Sequence, residues 1–102
     1  MIRKLGFSQA KALLDARPDA VLLDVREEEE YITGHAAGAQ LLPLDELNDE
    51  SALDLIPDLD TPVLVYCRSG VRSHAAALRL EDYGYGEVYD LGSLVGWPYG
   101  LE

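Results

Sequence analysis

The one cysteine of the chain, Cys67, lies in the stretch YCRSGVRS, directly before Arg68 and five residues before Arg72, with Gly70 midway between the two arginines. A thiol attacks as its thiolate, and a thiolate needs positive surroundings. Val63-Leu64-Val65-Tyr66 reads as a buried strand, and the spacing predicts a helix from about Val71 to Tyr83. Cys67 to Gly70 must therefore reverse the chain tightly, and Gly70 supplies a backbone conformation that other residues resist. The N–H groups of such a strand-to-helix turn converge on one locus, where the helix N-terminus adds about half a positive charge. Cys67 sits at the floor of this anion cradle. Arg72 falls in the first helical turn, where a cation opposes the helix dipole, so a negative group is expected to face it. The candidate set is Cys67 as nucleophile, with Arg68, Ser69, Gly70, Val71, Arg72 and Ser73 as an anion-binding loop. Ser69 and Ser73 offer hydroxyls to the anion, although Ser73 would equally satisfy the helix start.

A thiolate cradled by amides serves two chemistries. One attacks phosphorus or arsenic; the other accepts a single sulfur atom and carries it as a persulfide. Loop length separates them. The phosphatase signature has five residues between cysteine and arginine, whereas Arg68, Ser69, Gly70 and Val71 make four here, and Ser73 stands where that signature has its arginine. The residue before the thiol is Tyr66 rather than the histidine common in phosphatases. A shorter loop makes a narrower cradle, better matched to one sulfur than to a tetrahedral oxyanion.

The elements that must position this loop alternate along the chain. Ser8 is a plausible N-cap for a helix over 9–16, with Ala10, Leu13 and Leu14 on its buried face. Ala20 to Val25 is a continuous apolar run with one acid, the pattern of a strand buried on both faces. Glu27 to Tyr31 reads as a short helix with acids in its first turn, and Ala39 to Leu42 as a strand. Leu44 to Ile56 reads as one or two helical segments. In the helix after the cysteine, Ala75, Ala76, Leu78 and Leu80 fall at helical spacing, Gly84 ends it, and Glu87 to Leu91 forms a last strand. Alternating strands and helices imply right-handed βαβ units and a mostly parallel sheet. Ligands bind such sheets beyond the carboxyl ends of the strands, where both Asp24 and Cys67 fall.

Composition sets the bounds. The 102 residues, 48% of them hydrophobic, suit a single domain over 1–102. A lone cysteine excludes a disulfide framework and fits a reducing compartment, so a cytoplasmic location is expected. No run approaches the roughly 20 apolar residues of a membrane span, and no signal peptide is read at the start. A net charge of -11 argues against nucleic acid as partner. Two separated histidines, His35 and His74, make no metal site. His74 is expected to point away from the thiol along its helix. Asp24 is expected to accept hydrogen bonds from a neighbouring loop, and Arg26 to pair with a carboxylate such as Glu30. Glu27 to Glu30 reads as a solvated face, and the aromatics from Tyr83 to Tyr99 as core and pocket rim.

Three motifs then fall in order. LLDVREEEEYITGHAAGAQLLPLDEL (Leu22–Leu47) resembles the first signature of the rhodanese family, VLVYCRSGVRS (Val63–Ser73) its active-site strand and loop, and YDLGSLVGW (Tyr89–Trp97) its closing motif. The resemblance covers nearly the whole chain. It implies an α/β, three-layer rhodanese-like fold with a central, roughly five-stranded parallel sheet flanked by helices. It also implies sulfur transfer through a persulfide on Cys67, from a small anionic donor such as thiosulfate to a thiophilic acceptor: cyanide, a small thiol or a protein thiol. No metal or organic cofactor is implied. Gly92-Ser93 replaces a pair of glycines common in the family, so strain or a changed pocket rim is expected there. Ala36 after His35 is a packing change. The alternatives are a persulfide carrier or regulatory domain whose acidic surface meets a basic partner, and, with less support, a phosphatase or arsenate reductase on the same scaffold.

Overall fold

The computed structural model describes residues 2–102. Five strands, β1 (Ile2–Lys4), β2 (Val21–Asp24), β3 (Gln40–Leu41), β4 (Val63–Cys67) and β5 (Val88–Ser93), form one parallel sheet in the order β1-β5-β4-β2-β3. Between them run α1 (Phe7–Ala16), α2 (Glu28–Thr33), a short 3-10 turn (Leu44–Glu46), α3 (Asp49–Leu55) and α4 (Val71–Asp82). β1 was not foreseen: three residues with a largely exposed pattern carry no strand periodicity, and pairing with β5 alone makes them a strand. Among the described residues no helix is long and apolar enough to cross a membrane.

β4 is central because all five of its residues are buried. Side chains alternate along a strand, so Val63, Val65 and Cys67 join one core with α4, Ala52 and Ile56, while Leu64 and Tyr66 join the other with Ala10 and Leu22. The thiol therefore lies on the α4 face at the carboxyl end of the middle strand. The register of β5 against β4 skips a residue there: Val65 pairs with Asp90, but Tyr66 pairs with Gly92 and Cys67 with Ser93. The extra residue is a bulge that swings the end of β5, and Gly92 takes a positive φ of 72° within it.

Several local expectations are corrected by tertiary structure. Helix α1 begins two residues early. Its N-cap is Gly6, whose N–H donates to the Gln9 side chain at 3.0 Å, so Ser8 lies inside the helix rather than capping it. On α4 the buried stripe is Ser73, Ala76, Ala77 and Leu80, and Leu78 is exposed. Arg26 does not reach Glu30; it donates from Nε and Nη2 to Asp24 (2.7–3.1 Å) and from Nη2 to the Gly34 carbonyl. Tyr66 donates its hydroxyl to the same carboxylate at 2.5 Å and accepts the Ala36 N–H at 3.1 Å. Its burial, then the Asp24 contact, push the phenol far above its ordinary range. The hydrogen bond to Asp24 likewise raises the Arg26 guanidinium. This network ties β2, β4 and the 34–36 loop together beneath the site.

Tyr66→Phe should remove two buried hydrogen bonds and leave both the Asp24 oxygen and the Ala36 N–H short of a partner. A loss of about 1–3 kcal/mol is expected, read from the urea midpoint at unchanged slope. A shift within about 0.5 kcal/mol, the size of a neutral surface change, would mean the network does not hold the fold.

Candidate active site

Strand β4 ends at Cys67, and α4 begins after Gly70, which serves as its N-cap at φ 98°. A side chain at Gly70 would be strained at that φ, and its Cβ would stand 3.7 Å from the Gly92 Cα. The sharp glycine turn foreseen from the sequence is present. The Gly70 N–H donates to Cys67 Sγ at 2.9 Å. Inside α4 the first hydrogen bond runs from the His74 N–H to the Gly70 carbonyl at 3.1 Å. The amides of Val71, Arg72 and Ser73 have no carbonyl partner within the helix, as at any helix start. Cys67 is wholly buried.

Three further contacts fix the loop. Ser73 is also fully buried, and its hydroxyl donates to the Gly70 carbonyl at 3.1 Å; of its two foreseen roles, the helix start is the one this bond serves. The Leu94 N–H donates to the Cys67 carbonyl at 2.9 Å. Ser93 donates its hydroxyl to the Arg68 carbonyl at 2.5 Å and accepts the Val95 N–H at 3.1 Å. The backbone strain expected at Ser93 is absent, since no described residue other than glycine has a positive φ. Its hydroxyl instead clasps the loop, a function no glycine provides.

The negative group facing Arg72 is part of the protein. Its Nη1 and Nη2 donate to Glu30 Oε1 and Oε2 at 2.6 and 2.9 Å, a two-pronged pair across 42 residues of sequence. Glu30 Oε1 also accepts the Glu27 N–H at 3.0 Å, which caps α2. The hydrogen bonds from Arg72 draw the Glu30 carboxyl down to about 2, and the same contact raises Arg72. The 27–30 acidic run is thus not a uniformly solvated face: Glu28 and Glu29 are exposed, while Glu30 anchors the cysteine loop. The clue lay in the sequence, in the uncompensated cation of a helix first turn, but an ion pair so far apart along the chain needs the fold to be seen.

Two cavities flank the loop. One of about 400 Å³ is lined by Arg68 with Arg26, Glu30, Leu94, Val95 and Trp97. Arg68 is exposed, and among the described residues it has no ion-pair partner. The other, of about 650 Å³, lies against Ser69, Gly70 and Val71 and is bounded by Lys4, His74 and Asp90. The exposed ring of His74 borders this second cavity, with Nδ1 3.8 Å from Asp90 Oδ2. His35 stacks on Tyr31 at 3.7 Å and is a packing residue, as foreseen. Trp97 sits edge-on to Phe7 and Tyr99 at 5.3 and 5.1 Å, so the terminal aromatics are core and rim.

A buried thiol under a glycine turn, at the carboxyl end of the middle strand of a five-stranded parallel sheet, defines a small α/β thiol enzyme scaffold. Residues 7–98 match the Rhodanese-like domain family, and the chain belongs to it. A thiosulfate sulfurtransferase GlpE of Coxiella burnetii is 35% identical over 98 residues, covering 95% of this chain and 88% of that protein. A structure described as a rhodanese with anions from E. coli superposes with a TM-score of 0.75 at 32% identity, over 81% of this chain and 96% of that one. The crystal structure of the Alr3790 protein from Anabaena sp. gives a TM-score of 0.87 at 25% identity, over 96% and 90%.

The Arg72–Glu30 pair carries a pH signature. Folding holds the Glu30 carboxyl near 2 against 4.5 when free. Its contribution is therefore complete above about 4.5 and is lost as pH falls toward about 2. Glu30→Gln should lower stability at neutral pH by about 1 kcal/mol, the upper range for a partly exposed pair. The gap to wild type should close in acid. A gap that persists unchanged at pH near 2 would mean that the charge on Glu30 is not the source of the loss.

Proposed function

We propose that this rhodanese-type sulfurtransferase moves a sulfane sulfur from thiosulfate, or a similar small anionic donor, to a thiophilic acceptor through a persulfide on Cys67. The observation that carries the reading is the Gly70 N–H donating to Cys67 Sγ from a left-handed glycine at the start of α4. That amide and the helix start favour negative charge on the sulfur. The thiosulfate sulfurtransferase relatives and the anions in the E. coli rhodanese support an anionic donor.

The steps follow from covalent catalysis. Cys67 thiolate attacks the outer sulfur of thiosulfate; a sulfur–sulfur bond forms to Cys67, and the bond to the central sulfur breaks with its electron pair leaving as sulfite. The amides of Gly70, Val71 and Arg72 stabilise the persulfide anion. Ser69 lies on the exposed rim of the loop, and Ser73 holds the turn in shape. Arg68 steers the donor and offsets the charge of the departing sulfite. Arg72, already neutralised by Glu30, serves through its amide and by fixing the first turn of α4. The persulfide then yields its outer sulfur to the acceptor, and Cys67 returns as thiolate.

The division of labour between the arginines is testable. Arg68→Ala should raise the Michaelis constant for thiosulfate several-fold or more with a smaller effect on turnover, the pattern of lost ground-state binding. Equal kinetics in the variant and the wild type would remove Arg68 from donor binding. The phosphatase alternative is tested in the same assay. With four residues between Cys67 and Arg72, aryl phosphate hydrolysis should be negligible beside thiosulfate–cyanide sulfur transfer. Phosphate turnover exceeding sulfur transfer would overturn the assignment.

A further inference from the structure

The cavity of about 650 Å³ plays no part in loading Cys67 as just described, yet it is separated from the thiol by one residue. Gly70 lines it and at the same time donates its N–H to Cys67 Sγ at 2.9 Å. A persulfide extends the thiol by about 2 Å. The volume lies within the ordinary range for small-molecule sites, about 300–1,000 Å³. Cys67 is wholly buried, so a reactant of small bulk has the advantage.

The walls facing the loop are chemically specific. From β5 comes Asp90, 5% exposed, whose Oδ1 accepts the Gly92 N–H at 2.9 Å within the bulge. Its Oδ2 faces His74 Nδ1 at 3.8 Å. An imidazole with one nitrogen toward a buried carboxylate presents the other to the cavity. From β1 comes Lys4, which has no ion pair among the described residues although the chain carries a net charge of -11. Lys4 and Asp90 are the charged groups that share the cavity with His74.

We propose, resting on the sulfurtransferase reading above, that this cavity is the acceptor site and that its acceptor is a small thiol bearing a carboxylate. Lys4 pairs with the carboxylate. His74 Nε2 takes the proton of the thiol, with Asp90 orienting the ring. The resulting thiolate attacks the outer sulfur of the Cys67 persulfide. One sulfur–sulfur bond forms to the acceptor, the bond to Cys67 breaks, and its electron pair leaves on Cys67 as thiolate. The products are the acceptor persulfide and free enzyme; the proton on His74 passes to the product or to water. No external oxidant or reductant enters the balance. His74 is thus a general base for the second half-reaction, and Lys4 selects its substrate.

The test uses whole protein loaded with thiosulfate, freed of excess donor, and checked for one added sulfur by mass before any acceptor is added. Discharge is then timed at about pH 8, below the ordinary thiol pKa of about 8.5. The acceptors are 3-mercaptopropionate, uncharged 2-mercaptoethanol, and sulfite, an anion with no thiol proton to give up. Wild type should discharge to 3-mercaptopropionate at least tenfold faster than to 2-mercaptoethanol, and Lys4→Gln should erase that preference. In His74→Gln the ratio of thiol to sulfite rates should fall about 100-fold, the lower range for general-base catalysis. That deficit should shrink as the pH is raised through the thiol's own pKa. Equal rates for the two thiols in wild type, or a His74→Gln effect equal for thiol and sulfite, would overturn the proposal. Failure to load sulfur at the first step would instead remove the sulfurtransferase reading on which it rests.

Discussion

A single hydrogen bond, from the Gly70 N–H to Cys67 Sγ, depends on almost everything else in the molecule. It requires Cys67 to end the one strand that is buried throughout, so that its sulfur faces α4 rather than solvent. It requires a residue at φ 98°, where only glycine rests without strain, so that α4 can start four residues beyond the thiol. It also requires the neighbouring strand to stay clear. The bulge in β5 brings Gly92 opposite Tyr66. Sheet order, bulge and glycine turn are parts of one arrangement that holds an amide against sulfur before any substrate arrives.

The charges around the loop follow from the same arrangement. In so acidic a chain each buried or half-buried guanidinium finds a carboxylate: Arg26 takes Asp24, and Arg72 takes Glu30. These pairs serve as fasteners, one binding the 34–36 loop to β2 and β4, the other binding α2 to the start of α4. What remains for a ligand is Arg68 on one side of the loop and Lys4 with His74 on the other. A carboxylate near each arginine separates the cations that shape the site from those free to meet an anion.

Much of this was legible in the sequence, because the relevant signals are local. The apolar run of β4, the glycine three residues after the cysteine, and the alternation of strands and helices led to the parallel sheet and the loop. What was illegible was set by contacts distant along the chain. Arg26 and Arg72 each had a carboxylate within plausible reach, and sequence alone chose the wrong partner for Arg26. Ser93 read as a departure that would strain the backbone; only the register of β5 against β4 places its hydroxyl on the Arg68 carbonyl. Asp90 drew no notice as one acid of a predicted strand, until the bulge turned it toward His74.

The central claim is that Cys67 accepts one sulfur atom and keeps it. The direct measurement is the intact mass of the protein after incubation with thiosulfate and removal of the excess. The account predicts a gain of a single sulfur on wild type, reversed by cyanide and absent from Cys67→Ser, whose fold should be unchanged by circular dichroism. A wild-type mass that stays at its starting value, under conditions that load a known sulfurtransferase, would contradict it.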